Sequence, residues 1–114
     1  MTTFITSDLH LNHLSILKYC PHRWIDHDGF SPPDWESVSV MNEKIISNWN
    51  SMITVEDEVY ILGDVAMGQI HLAPALIRRL NGKKYLIKGN HDKTLHKLIM
   101  NGSGEFDDLF VWIK

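Results

Sequence analysis

The sequence predicts an α/β fold, a mostly parallel sheet flanked by helices, and three observations carry that expectation. Short apolar, β-branched runs alternate along the chain with segments of helical spacing. Three of those runs stop abruptly at polar residues, in "TSDLH", "LGD" and "KGNHD". The 114 residues, 44% hydrophobic and 22% charged, fit one globular domain over 1–114, neither two domains nor a disordered chain.

The elements follow in order. "TTFITS" is β-branched and apolar and reads as a first strand. In "LNHLSILKYC", Leu11, Leu14 and Leu17 recur every three residues, a short helix ended by Pro21. Residues 21–35, with Gly29 and three of the four prolines, read as a loop, and Asp34 is a candidate N-cap. Val38, Met41, Ile45, Trp49 and Met52 form one apolar stripe of a long helix. "VYIL" is a continuous apolar run, a buried strand, and ends at Gly63-Asp64. Leu72, Leu76, Ile77 and Leu80 return to helical spacing, with Pro74 tolerated only in the first turn and Asn81-Gly82 as the stop. "KKYLIK" is a third strand ending at Gly89-Asn90. "KTLHKLIM" is a helix stopped by Gly102, and "EFDDLFVWIK" contains a fourth strand or its approach.

Composition excludes several classes. A net charge of −3 leaves no basic footprint for a nucleic-acid track. Arg78, Arg79, Lys83 and Lys84 form a small cluster, which a solvated helix end explains equally well. The single cysteine, Cys20, has no internal partner, which fits a reducing compartment. The start "MTTFITSD" has neither a basic leader nor a long apolar run, so a cytoplasmic chain without a membrane span is expected.

The polar bursts matter most. In an open parallel sheet the carboxyl ends of the strands share an edge, where ligands bind. Asp8, His10, Asp64, Asn90 and His91 would therefore converge. A regular strand would put Asp8 and His10, two apart, on one face. Carboxylate, imidazole and amide oxygen suit a divalent ion such as Mn²⁺, Fe²⁺ or Zn²⁺. Gly63 and Gly89 remove a Cβ where the backbone must turn and approach closely. Each piece alone has an ordinary reading, as a helix cap, a hydrogen-bonded ring or a turn dipeptide. Three such pieces after three strands of one sheet do not.

On these residues the sequence resembles the calcineurin-like metallophosphoesterase superfamily: "DLH" (Asp8, His10), "GDVAMG" (Gly63, Asp64, Gly68) and "GNHD" (Gly89 to Asp92), in that order and spacing. It is similar more narrowly to small bacterial and phage members through "MNEKIISNWN" and "LNGKKYLIKGNHD". The resemblance implies a metal-dependent hydrolase acting on a small phosphodiester or phosphomonoester, a nucleotide among the candidates, through a metal-activated hydroxide. It implies that Asp8 and His10 bind the first metal, Asp64 bridges both, and Asn90 binds the second. Mn²⁺ is the expected ion, with Fe²⁺, Zn²⁺ or Ni²⁺ as alternatives. His91 would donate a proton to the leaving oxygen and Asp92 would orient His91. His13 matches an extra histidine of the narrower group, as a phosphate contact or a packing residue. The remaining histidines, His22, His27, His71 and His96, stand outside these motifs.

The family also supplies a later histidine and a "GHxH" turn. This chain ends at Lys114, so the resemblance implies the N-terminal half of an αββα sandwich with an incomplete second metal site. One sheet face would then be bare, with Val111, Trp112 and Ile113 at its edge. "GDVAMG" lacks the arginine of protein phosphatases. The alternative expectation is a shortened or split, non-catalytic form that binds one metal or a partner chain, either a second copy or the absent half.

Overall fold

The structure, a computed structural model, describes residues 1–13, 16, 35–67, 70–102 and 104–114. Most of the expected first helix and the proline-rich loop, with Asp34, Cys20, His22 and His27, lie outside the described residues. The elements are β1 (Thr3–Thr6), α1 (Trp35–Met52), β2 (Glu58–Leu62), a 3₁₀ turn (Ile70–Leu72), α2 (Ala73–Arg78), β3 (Lys83–Ile87), α3 (Lys93–Asn101) and β4 (Trp112–Ile113). The four strands form one sheet in the order β1-β2-β3-β4, with every neighbouring pair parallel. The α/β class expected from the sequence is the fold observed.

The strand order has a direct consequence. When consecutive strands are neighbours and each crossover turns right-handed, every connecting helix falls on the same side of the sheet. The burial follows that rule. Val59, Ile61 and Leu86 point to one face and belong to the main core, against which Phe4 packs, with Ile46 and Trp49 of α1, Ile53 just past its end, Ile77 of α2, and Leu95 and Ile99 of α3. The alternate residues Ile5, Leu62 and Ile87 are exposed. Between them Tyr60 stacks on Tyr85 at 4.7 Å, and Trp112 meets Tyr85 edge-on at 5.3 Å.

Two apolar stripes shift from their expected course. Val38, Met41 and Trp49 are buried, but Met52 is 67% exposed, and Ile46 and Ile53 take the inner positions. A 3.6-residue repeat that buries Ile46 and Trp49 reaches Ile53, not Met52, on its next turn. Leu72 is likewise exposed, because it closes the 3₁₀ turn ahead of α2. Pro74 sits in the first turn of α2, where its missing N–H costs nothing. The helix stops at Arg78, just ahead of Asn81-Gly82. At the far edge β4 is short, but Val111 N–H donates to Lys84 O at 2.7 Å and Lys114 N–H to Leu86 O at 2.8 Å. These bonds lengthen the pairing beyond the two-residue strand.

The long helix is fastened to the turn after α2 through "NWN". Trp49 Nε1 donates to Asn81 O at 2.8 Å, Asn50 Nδ2 to Arg79 O at 2.9 Å, and Asn81 N–H to Asn50 Oδ1 at 2.9 Å. Asp57 does similar work at the start of the sheet. Its carboxylate accepts from Thr2 N–H and Thr54 N–H, both at 2.8 Å. These two bonds, that from Thr54 foremost, hold the Asp57 carboxyl below the ordinary carboxylate range.

Candidate metal centre

The loops after β1 and β2 continue side by side once the strands have ended. Asp8 N–H donates to Gly63 O (3.1 Å), His10 N–H to Asp64 O (3.0 Å) and Leu11 N–H to Val65 O (2.9 Å), and Leu11 bridges Ala66. This continued ladder carries Asp8 and His10 alongside Asp64. The backbone that does so is not a regular strand. Asp8 (φ 56°), His10 (φ 52°), Asn12 (φ 62°) and Asp64 (φ 53°) all adopt the left-handed region. The expectation that Asp8 and His10 share a face of an extended strand is therefore corrected. β1 stops at Thr6, and alternating left-handed residues bring the two side chains together instead.

Asp8, His10 and Asp64 each offer one ligand atom, and the three atoms lie within 4.8 Å of one another. His10 Nε2 is 3.7 Å from Asp8 Oδ1. Two donors held by one small divalent cation at about 2.1 Å each stand no more than about 4.2 Å apart. The cluster is near that span, and its oxygen and nitrogen donors suit a borderline-to-hard ion. Asp8 is the most exposed of the three. The Ser7 hydroxyl, donating to Asp8 Oδ2 at 2.9 Å, holds its carboxyl below the ordinary range.

Two glycines permit the approach. Gly63 has φ 85°, and a Cβ there would meet Gly89 Cα at 3.0 Å. A Cβ on Gly89 would meet Asp64 Oδ1 and Gly63 Cα, both at 3.1 Å. The "GD" and "GN" turns are therefore in backbone contact, and a side chain at either glycine would push the two turns apart by a few tenths of an ångström.

Asp92 differs from its expected role. Its side chain is fully buried and accepts from Asp64 N–H (2.8 Å), Val65 N–H (2.9 Å) and Gly89 N–H (2.6 Å). Its carboxylate meets no atom of His91; it clamps the two glycine turns together, because one buried and two partly buried N–H groups at the strand ends need an acceptor. His91 instead places Nδ1 3.2 Å from Asp64 Oδ1, which joins it to the cluster. Asn90 is exposed and lines, with His91, Lys93 and Thr94, an open cavity of about 320 Å³ that reaches Met67 and Ile70.

His13 lies against His10, with their Nδ1 atoms 3.0 Å apart. Sequence reasoning missed the group beneath them. Buried Asn42, from the "MNE" run of α1, accepts from the Asn12 N–H at 2.8 Å. The signal was an asparagine on the inner side of a helix, which needs a polar partner. The basic cluster divides: Arg78 and Arg79 stand at the end of α2 as a helix end would have them, while Lys83 and Lys84 belong to β3 and Lys84 is buried. Arg78 pairs with Asp108 and Arg79 with Glu43, each at 2.7 Å, and buried Lys84 donates to Leu80 O at 2.7 Å. His71 is exposed, and His96 Nδ1 lies 3.1 Å from Lys88 Nζ. Among the described residues no helix is long and apolar enough to cross a membrane.

No family model matches the chain. It is 36% identical over 92 residues to the uncharacterized protein MJ1445 of Methanocaldococcus jannaschii, covering 79% of this chain and 46% of that one. It is 33% identical over 107 residues to the gene 66 protein of Mycobacterium phage L5, covering 85% and 45%. The chain thus spans about half the length of the curated relatives it matches. Its fold resembles the crystal structure of the protein of unknown function AQ665 from Aquifex aeolicus, with a TM-score of 0.64 and 24% identity over 99% of this chain and 51% of that one.

Proposed function

We propose that the chain carries the metal centre of a divalent-metal-dependent phosphoesterase of the calcineurin-like type, acting on a small phosphodiester or phosphomonoester. The observation that carries this reading is the meeting of Asp8, His10 and Asp64 at the carboxyl ends of β1 and β2, within 4.8 Å. These three residues would hold the ion, with Mn²⁺ the expected occupant. Bound there, a divalent cation supplies Lewis acidity toward a phosphoryl oxygen and lowers the pKa of water.

The chain's own groups do the rest. Asp64 is held from both sides, its N–H by Asp92 and its Oδ1 by His91, so its carboxylate is oriented before any ion arrives. His91 stands half-exposed over Asp64 at the mouth of the cavity with Asn90. From there it can give a proton to a departing alkoxide. Asn90 lines the same cavity and would offer its amide oxygen there.

A second reading rests on the cluster having three donors: a chain that binds one ion without turnover. Calorimetry with Mn²⁺ and hydrolysis of bis(p-nitrophenyl) phosphate separate the two. The enzyme reading expects Mn²⁺-dependent hydrolysis that Asp64→Asn lowers by at least 100-fold. Binding of one Mn²⁺ with no hydrolysis by the wild type would leave only the second reading, and no binding at all would remove both.

A further inference from the structure

We infer that His13 is a positioning residue for His10: its Nδ1 accepts the His10 Nδ1–H and so presents the unprotonated His10 Nε2 to the Asp8–Asp64 cluster. This rests on the metal-centre reading.

The geometry carries it. The two Nδ1 atoms are 3.0 Å apart, the ring planes differ by only 19°, and the centroids are 5.2 Å apart. Rings lying face over face would bring the centroids much closer for the same N···N contact. A centroid separation equal to the N···N distance plus one ring radius at each end means the rings are nearly coplanar and edge to edge. The contact is therefore an in-line N–H···N hydrogen bond, the favoured geometry.

Such a bond needs one protonated and one bare nitrogen, so the pair fixes the tautomer of both rings. On the far side of His10, Nε2 faces Asp8 Oδ1 at 3.7 Å, too long for a formed hydrogen bond. The proton is held between the rings, not against Asp8, and the lone pair of Nε2 is left for a cation. A histidine that ligates a metal generally donates its other N–H to a fixed acceptor, which sets the ring's direction and raises its basicity. The acceptor here is a second imidazole three residues on. The backbone between the two rings is not helical; His10 and Asn12 are left-handed. Asn42, holding the Asn12 N–H, fixes the loop between the rings.

The test has two readouts. In metal-free wild type at pH 8, long-range ¹H–¹⁵N correlation spectra should show His10 protonated at Nδ1 and His13 at Nε2. In His13→Phe, which keeps a flat ring but no acceptor, His10 should revert to the Nε2–H form. Its affinity for Mn²⁺ by calorimetry should fall 10- to 100-fold. His13→Gln, whose amide oxygen can accept the same proton, should recover affinity to within a few-fold. Thermal melts of both variants check that they fold, and the wild-type spectrum needs neither. His10 found protonated at Nε2 in the wild type, or His13→Phe binding Mn²⁺ as tightly as wild type, overturns the inference alone. A wild-type chain that binds no Mn²⁺ overturns the metal-centre reading and this role with it.

Discussion

Four non-glycine residues in the left-handed region fall within the two loops that form the cluster, and such conformations cost on the order of 1–2 kcal/mol apiece for a residue with a Cβ. Asp8 is the clearest case, because its side chain is 60% exposed and little packing offsets the cost. Asp8→Gly should therefore be more stable than Asp8→Ala by about 1 kcal/mol in urea unfolding, while both lose Mn²⁺ affinity. Equal stabilities would mean the loop relaxes around alanine. The acids and imidazoles of the cluster were legible in the sequence, because each follows a strand and offers ligand chemistry. The role of Asp92 was not. In "GNHD" a carboxylate that binds three distant N–H groups is indistinguishable from one that touches its neighbour, since the demand for an acceptor arises only when Gly63 and Gly89 meet.

At the scale of elements, the polar fastenings carry as much information as the apolar stripes. Asn42 reaches from α1 to the backbone of Asn12, and both are buried. Asn42→Ala should cost about 1–3 kcal/mol, the penalty of leaving that N–H unpaired, and should also weaken Mn²⁺ binding through His10. Denaturant titration and calorimetry on the one variant check both effects. Asp57 couples the N-terminus of β1 to the turn before β2. Its folded-state pKa lies below its unfolded value of about 3.9, so its contribution is complete above that value and is lost as pH falls through the folded pKa. Asp57→Asn can offer one oxygen to the two N–H groups. It should be less stable than wild type at neutral pH, and the gap should narrow in acid melts below about pH 4. The strands and α1 to α3 were readable to within a few residues because period and turn chemistry agree there. The inner stripe of α1 was misplaced by one residue at Met52. Sequence spacing permits either Met52 or Ile53 after Trp49, and only the docked angle of the helix chooses.

For the molecule as a whole, the unbroken order β1-β2-β3-β4 gathers the core on one side and leaves Ile5 73%, Leu62 47% and Ile87 44% exposed on the other. A bare face was expected from the resemblance. That it carries an aromatic row of Tyr60, Tyr85 and Trp112 follows only from the register, which sets Tyr60 beside Tyr85 and Tyr85 beside Trp112. Val111 is exposed at the edge, as expected, while Trp112 and Ile113 are half-covered.

The seating of β1 has a further consequence. Among the described residues it is an outer strand, joined to the sheet along β2 alone, and its partner residues lie more than fifty positions away in the chain. Edge segments closed by long loops open more readily than central ones. Yet Asp8 and His10 hang from β1 and Asp64 from β2, so an ion shared among them would act as a clasp across that seam. At free Mn²⁺ one hundred times its dissociation constant, exchange of the β1 amides that face β2 should slow about 100-fold if opening of the strand releases the ion. Deuterium uptake by those amides would then gauge occupancy of the centre in the absence of any substrate.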